Sequence, residues 1–404
     1  MGKALCRGDR LTVSILDVAL GGDGVARNGE MVLFVPLTVD GDEVEVEVTV
    51  LKKRFARGEA VRIIDPSGHR VKAPCPWYGV CGGCRMQHIE YDHQLGLKKR
   101  QVEEAFIRIG KFPHPPVAPV IPSPQPYAYR GKAEFHLSAG KGAAPRIGLM
   151  ARESNDLVEV EHCLILDETI NQKYGRFREA LGRGAVDVRP ESQSIWSDLP
   201  GEAPIAIASG PQRPPDVLRV VKGKRMLVPY EGFFQANVFL IEELVNAVIA
   251  MSSLTGQGTL ADAYGGSGLF SLFLGPLSRR LYVIEGDREA ARCAGINLQN
   301  AGIDHATVFQ GDVGQIVQKK LVAGRQKVDT VILDPPRAGC GEPVLAGVVA
   351  LKPDKIVYVS CNPATQARDC KVFAESGYSL RTLQPLDMFP QTAHVEVVAL
   401  LTPS

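Results

Sequence analysis

Lys355-Ile-Val-Tyr-Val-Ser-Cys-Asn-Pro363 is an apolar run of β-type residues that ends in Cys361, with a proline two residues later. The run predicts a buried strand, and Pro363 suits the first position of a helix. A cysteine at the carboxyl end of such a strand lies where open α/β sheets bind their ligands. The partial positive charge of the helix N-terminus favours the thiolate, which is the nucleophilic form. Cys361 is therefore a candidate nucleophile, although a single cysteine in an α/β domain is more often a small buried side chain.

Similar strand patterns recur through the last third of the chain and alternate with helical patterns. Strands are expected at 259–264, 281–285, 330–334, 356–359 and 395–400, and helices at about 238–251 and 288–300. Alternation of this kind predicts a doubly wound α/β sheet, in which the carboxyl ends of parallel strands meet at one edge.

The first of these strands leads into a glycine-rich turn, Asp262-Ala-Tyr-Gly-Gly-Ser-Gly268. Such a turn alone is a weak indication of a nucleotide site. It gains weight because Glu285 ends the next strand, where a carboxylate can accept hydrogen bonds from ribose hydroxyls. The turn lacks the G-x-G-x-x-G spacing of dinucleotide-binding proteins, so a nucleoside cofactor is favoured. S-adenosylmethionine is the cofactor that we expect.

Two carboxylates accompany Cys361 at the same edge of the predicted sheet. Asp334 begins the sequence Asp-Pro-Pro-Arg337, and Glu396 lies in the last strand. Carbon 5 of uracil is a poor nucleophile, but addition of a thiolate at carbon 6 gives an enolate that can attack a methyl sulfonium. A base must then remove the carbon 5 proton before the thiolate leaves. The combination predicts uracil methylation, with Cys361 as nucleophile and Glu396 as base.

Short alternating runs fill residues 9–65 and are separated by glycine and asparagine turns. This pattern predicts a small closed β-barrel, and five-stranded barrels of the OB type often bind oligonucleotides. The cluster Lys52-Lys-Arg-Phe-Ala-Arg57 combines cations with an aromatic ring, which suits an RNA surface.

Basic residues are concentrated between Val48 and Val102, although the whole chain is balanced at 46 basic and 45 acidic residues. This segment holds eleven Lys or Arg and four Asp or Glu, a net charge of +7. Such an excess suits phosphate binding. It equally suits a solvated face that offsets the acidic segment 40–47, and charge alone leaves both readings open.

A cysteine-rich loop follows the predicted barrel. Cys75, Cys81 and Cys84 have C-x5-C-x2-C spacing, with glycines that allow a tight fold. A structural zinc or a four-iron cluster would each need four ligands. Cys163 is the nearest downstream cysteine and is the expected fourth ligand. His88, His93 and His162 are alternatives to it.

The region after the cysteine loop offers weaker patterns. A helix is expected over 97–112, with Lys98, Lys99, Arg100 and Arg108 on its polar face. Short strands are expected between Tyr127 and about Tyr230. Proline and glycine are dense over 182–215, where we expect loops of no assigned function.

Five motifs, in order along the chain, together resemble the RNA uracil-5-methyltransferases of the RumA/TrmA type. They are Cys75-x5-Cys81-x2-Cys84 with Cys163, Phe233-Phe-Gln-Ala-Asn237, Asp334-Pro-Pro-Arg337, Ser360-Cys-Asn-Pro363 and His394-Val-Glu396. The likeness covers nearly the whole chain, and residues 24–46 resemble the TRAM barrel of that family.

The resemblance implies an α/β multidomain protein. It would contain a TRAM/OB-like RNA-binding barrel (1–66), a central β-rich iron–sulfur domain (67–235) and a Rossmann-like, S-adenosylmethionine-dependent methyltransferase domain (236–404). Four-iron, four-sulfur ([4Fe-4S]) ligation is implied for Cys75, Cys81, Cys84 and Cys163.

Site residues are carried over by the same resemblance. Positions that contact the cofactor fall on Gln235, Tyr264, Glu285, Asp312 and Asp334. Asp334 would also lie against the target uracil, and Phe233 would pack on that base. Asp334, Cys361 and Glu396 form the expected catalytic set, with His394 as a positioning residue beside the base.

One position departs from the family pattern. Gly265 stands where the family usually has a cysteine, and we expect this to loosen the loop without affecting the chemistry. Cys6, Cys293, Cys340 and Cys370 are interpreted as structural or incidental.

The expected substrate is RNA. Relatives with both barrel and cluster typically resemble ribosomal enzymes, so formation of 5-methyluridine in 23S rRNA is favoured, with the T-loop uridine of tRNA as the alternative. The first ten residues do not resemble a signal peptide and no run has membrane-spanning length, so we expect a soluble, cytoplasmic protein that acts as a monomer.

Two other classes of protein share parts of this pattern. The first is an iron–sulfur redox or radical enzyme, which a fourth cluster ligand at Cys163 disfavours. The second is a non-catalytic RNA-binding protein, which the presence of Asp334, Cys361 and Glu396 together disfavours.

Overall fold

The computed structural model describes residues 5–138, 145–185, 192–198 and 216–404. Its N-terminal part is a six-stranded sheet with the order β1-β5-β6-β4-β3-β2. The strands are β1 (Arg10–Ser14), β2 (Asp17–Val18), β3 (Gly24–Asn28), β4 (Met31–Val35), β5 (Glu43–Leu51) and β6 (Phe55–Asp65). In β5, Val44, Val46 and Val48 are buried while the glutamates between them are partly exposed, as a half-buried strand requires. The predicted β-barrel pattern is confirmed.

The central part combines a four-stranded sheet, order β10-β7-β8-β9, with two helices and a separate hairpin. Its elements are α1 (Tyr91–Arg108), β7 (Lys132–Ser138), β8 (Arg146–Met150), β9 (Leu157–Val158), α2 (Glu168–Gly182), β10 (Ser192–Trp196), β11 (Val217–Val221) and β12 (Lys224–Val228). Strand β10 corrects the expectation of loops over 182–215, because it pairs with β7. The rest of that stretch lies largely outside the described residues.

The C-terminal part is a seven-stranded sheet with the order β15-β14-β13-β16-β17-β19-β18. Its strands are β13 (Thr259–Ala263), β14 (Arg280–Glu285), β15 (Ala306–Gln310), β16 (Thr330–Leu333), β17 (Lys355–Ser360), β18 (Tyr378–Leu386) and β19 (Glu396–Pro403). Its helices are α3 (Ile241–Ser252), α4 (Leu269–Leu274), α5 (Arg288–Asn300), α6 (Val313–Ile316), α7 (Glu342–Leu351) and α8 (Pro363–Glu375). Strands β13 to β17 are parallel and β19 is antiparallel to β17, so the predicted doubly wound sheet is confirmed.

The strand order reverses between β13 and β16, which are neighbours in the sheet but not in the chain. In an open α/β sheet, the carboxyl ends of the strands at such a point form the ligand crevice. The loops that begin at Tyr264 and Asp334 border this crevice. The predicted cofactor turn and the predicted Asp-Pro-Pro-Arg motif are therefore adjacent.

Helix α1 packs against α8 of the C-terminal sheet, and its Val102 and Phe106 join the apolar core beneath β13 and β16. Lys98 was expected on the polar face of this helix, but it is fully buried. Its Nζ donates a hydrogen bond to Asp387 Oδ1 at 2.5 Å. Because its partner comes from a distant loop, the local helical pattern could not indicate this burial. The predicted domain boundaries at 66 and 235 stay predictions.

Candidate active site

The glycine turn after β13 is fastened to the end of β14 through Glu285. Gly266 N–H donates to Glu285 Oε2 at 2.8 Å, and Asp287 N–H donates to Glu285 Oε1 at 2.7 Å. Tyr264 has a left-handed backbone, with φ of 65°. Each carboxylate oxygen can accept more than one hydrogen bond, so Glu285 retains acceptor capacity for a ligand.

Asp262, the fourth residue of β13, lies fully buried beneath the turn. Its Oδ2 accepts hydrogen bonds from Ser271 Oγ at 2.5 Å and Ser271 N at 3.1 Å. Its Oδ1 is buried and has no hydrogen-bond partner among the described residues. Burial raises the pKa of Asp262 to about 6. Sequence reasoning gave this residue no role, yet an unpaired buried acceptor beside the crevice suits a bound ligand that carries a donor.

Gly265 fills a position where a larger residue would collide with the sheet. A Cβ there would lie 2.6 Å from Val283 Cγ1 on β14. The expectation that glycine loosens the loop stays a prediction, and the structure shows in addition that this glycine permits close packing of the turn on β14. A side chain at 265, cysteine included, would therefore require Val283 or the turn to move.

Cys361 and Glu396 occupy facing ends of two paired strands. Strand β17 pairs antiparallel with β19, and the last pair in register is Ser360 with Val397. Cys361 and Glu396 are each one residue beyond that pair. Asn362 then caps α8 by accepting a hydrogen bond from Ala364 N at 3.2 Å. The predicted nucleophile and the predicted base are therefore brought together.

The surroundings of Cys361 oppose ionisation of its thiol. Burial and the neighbouring Glu396 carboxyl raise the pKa of Cys361 to about 11, although the Arg337 guanidinium at the thiol lowers it. The thiolate expected from the helix N-terminus alone is thus not favoured in the free protein. The dominant cause is desolvation, which penalises the charged form.

Four carboxyl groups extend the site from Cys361 to the glycine turn, namely Glu396, Asp334, Asp262 and Glu285. Burial and Asp334 raise the pKa of Glu396 well above its usual range. Burial, Asp262 and Glu285 raise the pKa of Asp334 to about 8. Because like charges so close together cannot all ionise at low cost, Asp334 and Glu396 favour their protonated forms near neutral pH. Such groups are suited to proton transfer.

His394 lies two residues before Glu396 in sequence and is partly buried. Burial, Arg337 and Lys98 lower the pKa of His394 to about 4. The imidazole is therefore neutral at pH 7 and is a weak base, as a positioning residue would be.

The segment from Phe233 to Asn237 presents one aromatic ring to solvent and buries the residues after it. Phe233 is 76% exposed, whereas Gln235 is 6% exposed. Ala236 O accepts a hydrogen bond from Gly131 N at 2.9 Å, and Asn237 Nδ2 donates to Ser123 Oγ at 2.9 Å. A rigidly anchored segment with an exposed ring is suited to stacking on a base.

Asp312, the remaining predicted cofactor residue, is exposed at the start of α6. Its carboxylate accepts a hydrogen bond from Gln315 N at 2.8 Å and so caps the helix. It follows β15, the third strand along the same edge, so it borders the crevice from the side of β14.

The four predicted metal ligands line a single cavity of about 340 Å³, which also includes Trp77, Gln87 and His162. Burial raises the pKa of Cys84 to about 12 and that of Cys163 to about 11, and the other thiols add to both shifts. Donors point at the sulfurs, as with Gly83 N–H at 3.5 Å from Cys81 Sγ. Buried thiols with N–H donors suit iron–sulfur ligation.

The alternative histidine ligands are placed differently. His88 accepts or donates a hydrogen bond with Tyr78 OH at 2.6 Å, and His93 Nε2 contacts Asp40 Oδ1 at 2.7 Å. His162 alone of the three borders the cysteine cavity. Within the described ranges, no three histidine, cysteine or acidic side chains are grouped to hold one metal ion. Cys293, Cys340 and Cys370 are buried and Cys6 is exposed.

Comparison with known proteins places this architecture in a family. A model of tRNA (Uracil-5-)-methyltransferases matches residues 216–403, and a TRAM domain model matches residues 4–61. An uncharacterized RNA methyltransferase of Clostridium tetani is 31% identical and covers 94% of each chain. One from Gloeobacter violaceus is 32% identical over 98% of this chain and 97% of its own. The chain belongs to the RNA (uracil-5-)-methyltransferase family.

This RNA methyltransferase also has a relative of known structure. The Pyrococcus abyssi tRNA (uracil-54, C5)-methyltransferase, solved with S-adenosyl-L-homocysteine, matches with a TM-score of 0.72 at 24% identity. The match covers 97% of this chain and all of the other, so the two proteins share their fold. No helix among the described ranges of this methyltransferase is both long and apolar enough to cross a bilayer.

The basic segment of this methyltransferase is largely neutralised by acids. Six of its cations form ion pairs: Arg57 with Asp23, Arg62 with Glu45, Arg70 with Asp42, Lys98 with Asp387, Lys99 with Glu103, and Arg100 with Asp17 and Asp40. Three of them therefore offset the acidic segment 40–47. We find no such pair among the described residues for Lys52, Lys53 and Arg54, which are exposed between β5 and β6. The charge available to a phosphate is concentrated at this hairpin tip.

Proposed function

We propose that this enzyme methylates carbon 5 of a uridine in RNA through a covalent bond between Cys361 and carbon 6, and that Glu396 removes the carbon 5 proton. The observation that carries the proposal is the facing position of Cys361 and Glu396 at the ends of β17 and β19. A uracil ring seated between them would present carbon 6 to the thiol and carbon 5 to the carboxyl. One nucleotide could then meet both groups without moving.

Proton transfer is the first task of the site. The Cys361 thiol must lose its proton to attack, and a neighbouring carboxyl group can take up that proton only when it is ionised, which the raised pKa values of Asp334 and Glu396 make the minor state near neutral pH. Arg337 lowers the pKa of Cys361 and would stabilise the thiolate. Glu396 must lose its own proton to solvent before the second step, in which it accepts the carbon 5 proton and the bond to Cys361 breaks.

S-adenosylmethionine is the proposed methyl donor, and when bound it supplies the methyl group as a sulfonium. Glu285 is placed to accept hydrogen bonds from its ribose hydroxyls, and the unpaired Oδ1 of Asp262 would accept from its ammonium group. Gln235, Tyr264, Asp312 and Asp334 complete the proposed contacts. Gly266 and Gly268, with left-handed backbones, let the turn approach the ligand closely.

A [4Fe-4S] cluster is the proposed occupant of the cysteine cavity. Cys75, Cys81, Cys84 and Cys163 all line it and would hold such a cluster as its thiolate ligands. No methyl-transfer residue lies in this cavity. We assign the cluster a structural role.

The proposed substrate is 23S rRNA. A uracil within a duplex cannot reach a thiol at the base of a crevice, so the target must be unpaired or flipped out, and Phe233 is the ring proposed to stack on it. Lys52, Lys53 and Arg54 would contact flanking phosphates. The T-loop uridine of tRNA is the second candidate, since the solved relative is a tRNA (uracil-54, C5)-methyltransferase.

The test uses RNA in which 5-fluorouridine replaces uridine. Fluorine cannot leave as a proton does, so the wild-type protein with S-adenosylmethionine should form an adduct that survives a denaturing gel. Cys361→Ala should bind the cofactor and form none, and an adduct in that variant would refute the mechanism. Protein-free 23S rRNA and total tRNA, offered together with labelled cofactor, decide the substrate, and label confined to tRNA would favour the second candidate.

A further inference from the structure

Gln391 is a buried residue with an uncommon backbone, five positions before Glu396. It is 3% exposed and has a left-handed φ of 66°. Outside glycine, such a conformation carries a cost, and it persists only where the surroundings hold it. Gln391 lies in the loop between β18 and β19, which we call the 387–395 loop.

The backbone of Gln391 is joined to the cysteine loop. Its carbonyl oxygen accepts hydrogen bonds from Arg85 N at 2.9 Å and Met86 N at 3.0 Å. Arg85 directly follows Cys84 in the chain. The position of Gln391 is therefore set by the same turn that carries one of the cavity thiols.

The remaining groups of Gln391 are joined to α1 through Gln94, which is fully buried. Gln391 N–H donates to Gln94 Oε1 at 3.2 Å, and Gln391 Oε1 accepts from Gln94 Nε2 at 3.0 Å. Gln94 Nε2 also lies 3.0 Å from Met86 O and 2.8 Å from Ile89 O. The two glutamines thus lock together α1, the cysteine loop and the 387–395 loop.

Other contacts fix the residues on either side of Gln391. Tyr129 OH donates to Pro390 O at 2.9 Å, and Lys98 Nζ donates to Phe389 O at 3.0 Å. A Cβ added to Gly22 of the barrel would lie 3.3 Å from Ala393 Cβ. The 387–395 loop is therefore held by the barrel, α1 and the cysteine loop, while Glu396 itself begins β19.

We propose that Gln391 is a positioning residue that transmits the geometry of the cysteine loop to the catalytic base Glu396. The inference rests on the proposed function, because it assumes that Glu396 resolves the adduct. Cys361 directly follows β17 and is not part of this loop. Loosening Gln391 should therefore impair resolution of the adduct while bond formation at carbon 6 and methyl transfer continue.

The test compares Gln391→Gly and Gln94→Ala with wild type. Glycine accepts the left-handed backbone, so Gln391→Gly should fold and lose only the side-chain lock. With natural RNA and S-adenosylmethionine, both variants should hold methylated RNA on Cys361 at ten or more times the wild-type level. Single-turnover methyl transfer should stay within about twofold. Hydrogen exchange at Arg85, Met86 and the 387–395 loop should rise together in both variants.

Gln101→Ala is the matched control. Gln101 is another buried glutamine of α1, but its Nε2 donates to Val18 O and Ala19 O of the barrel, both at 3.1 Å. It should lower thermal stability without trapping RNA. Equal losses of methyl transfer and resolution in Gln391→Gly and Gln94→Ala would overturn the inference. Wild-type protein that forms no fluorouridine adduct would overturn the proposed function together with it.

Discussion

Cys361 and Glu396 face each other across the β17–β19 pair, each one residue beyond the Ser360–Val397 register. The two strands are antiparallel, so the carboxyl end of one meets the amino end of the other at the crevice. Two residues that are 35 positions apart in sequence are thereby brought close together.

Replacement of Glu396 by glutamine should stall the reaction after methyl transfer. Glutamine keeps the volume of the side chain but cannot accept the carbon 5 proton, so resolution should slow by about 10² to 10⁴. Mass spectrometry should find methylated RNA attached to Cys361. Glu375→Gln, at the exposed end of α8, is the control and should turn over normally. Normal turnover of Glu396→Gln would assign the proton to another base.

Adduct formation should accelerate as the pH rises. Because the pKa of the Cys361 thiol is raised to about 11, its thiolate fraction in the free enzyme grows about tenfold per pH unit below that value. Rapid-quench measurement with fluorouridine RNA should give this slope between about pH 6 and 9. Arg337→Gln should lower the rate at every pH, because Arg337 lowers the pKa of the thiol. A flat profile would contradict the raised pKa.

Gly265→Ala should destabilise the protein and weaken cofactor binding. The added Cβ would overlap Val283 Cγ1, and overpacking of this kind costs about 1 to 3 kcal/mol. Adding Val283→Ala should recover part of that loss, which a double-mutant cycle on unfolding midpoints would measure. Gly295→Ala is the control, because open space surrounds that helical glycine. Additive effects of the two substitutions would show that the contact is absent.

Lys98→Met should be among the most destabilising single changes in α1. It leaves the Asp387 carboxylate buried without its partner, which costs about 3 to 5 kcal/mol. Denaturant unfolding would measure the loss. Lys99→Met, one position along, removes only a solvent-exposed pair with Glu103 and should change stability by less than about 1 kcal/mol. Equal effects would indicate that Lys98 is not buried in solution.

Substitution of Lys52, Lys53 and Arg54 by alanine should weaken RNA binding and flatten its salt dependence. Each lost phosphate contact lowers the slope of log affinity against log salt by about 0.7 to 0.9. Fluorescence anisotropy over a salt series would measure this. The control triple variant, Arg62→Ala with Lys99→Ala and Arg108→Ala, removes the same charge from cations that already pair with glutamates. A larger slope change in the control would move the RNA surface away from the hairpin tip.

The local spacing of apolar residues was sufficient to predict the main strands and helices of the methyltransferase sheet. The helix predicted at 288–300 is α5 with the same bounds, and the strand before Cys361 is β17. Both depend on apolar spacing within a few residues, which sequence displays directly. The helix expected at 97–112 begins at Tyr91 instead, because its first turn is stabilised by contacts with other segments.

Contacts between distant segments account for what the sequence could not indicate. Gly265 packs closely against Val283 on another strand. The raised pKa of Cys361 depends on burial and on Glu396. The ion pairs of Arg62, Arg70 and Arg100 join residues 17 to 83 positions apart. None of these contacts produces a pattern within a few residues of sequence. Counts of charged residues and cysteines therefore could not predict which cations are paired or which thiols are buried.

The burial of α1 bears on how the chain is made. Gln94 forms a hydrogen bond with Gln391, which lies 297 residues later in the sequence. Lys98 forms one with Asp387, which lies 289 residues later. During synthesis, α1 therefore leaves the ribosome before the hydrogen-bond partners of Gln94 and Lys98 have been made. The apolar residues of α1, Val102 and Phe106, also lack the core against which they pack. We expect the three parts of the enzyme to pack together only after residues 387–391 have left the ribosome. A chain cut short at residue 386 should be prone to aggregation.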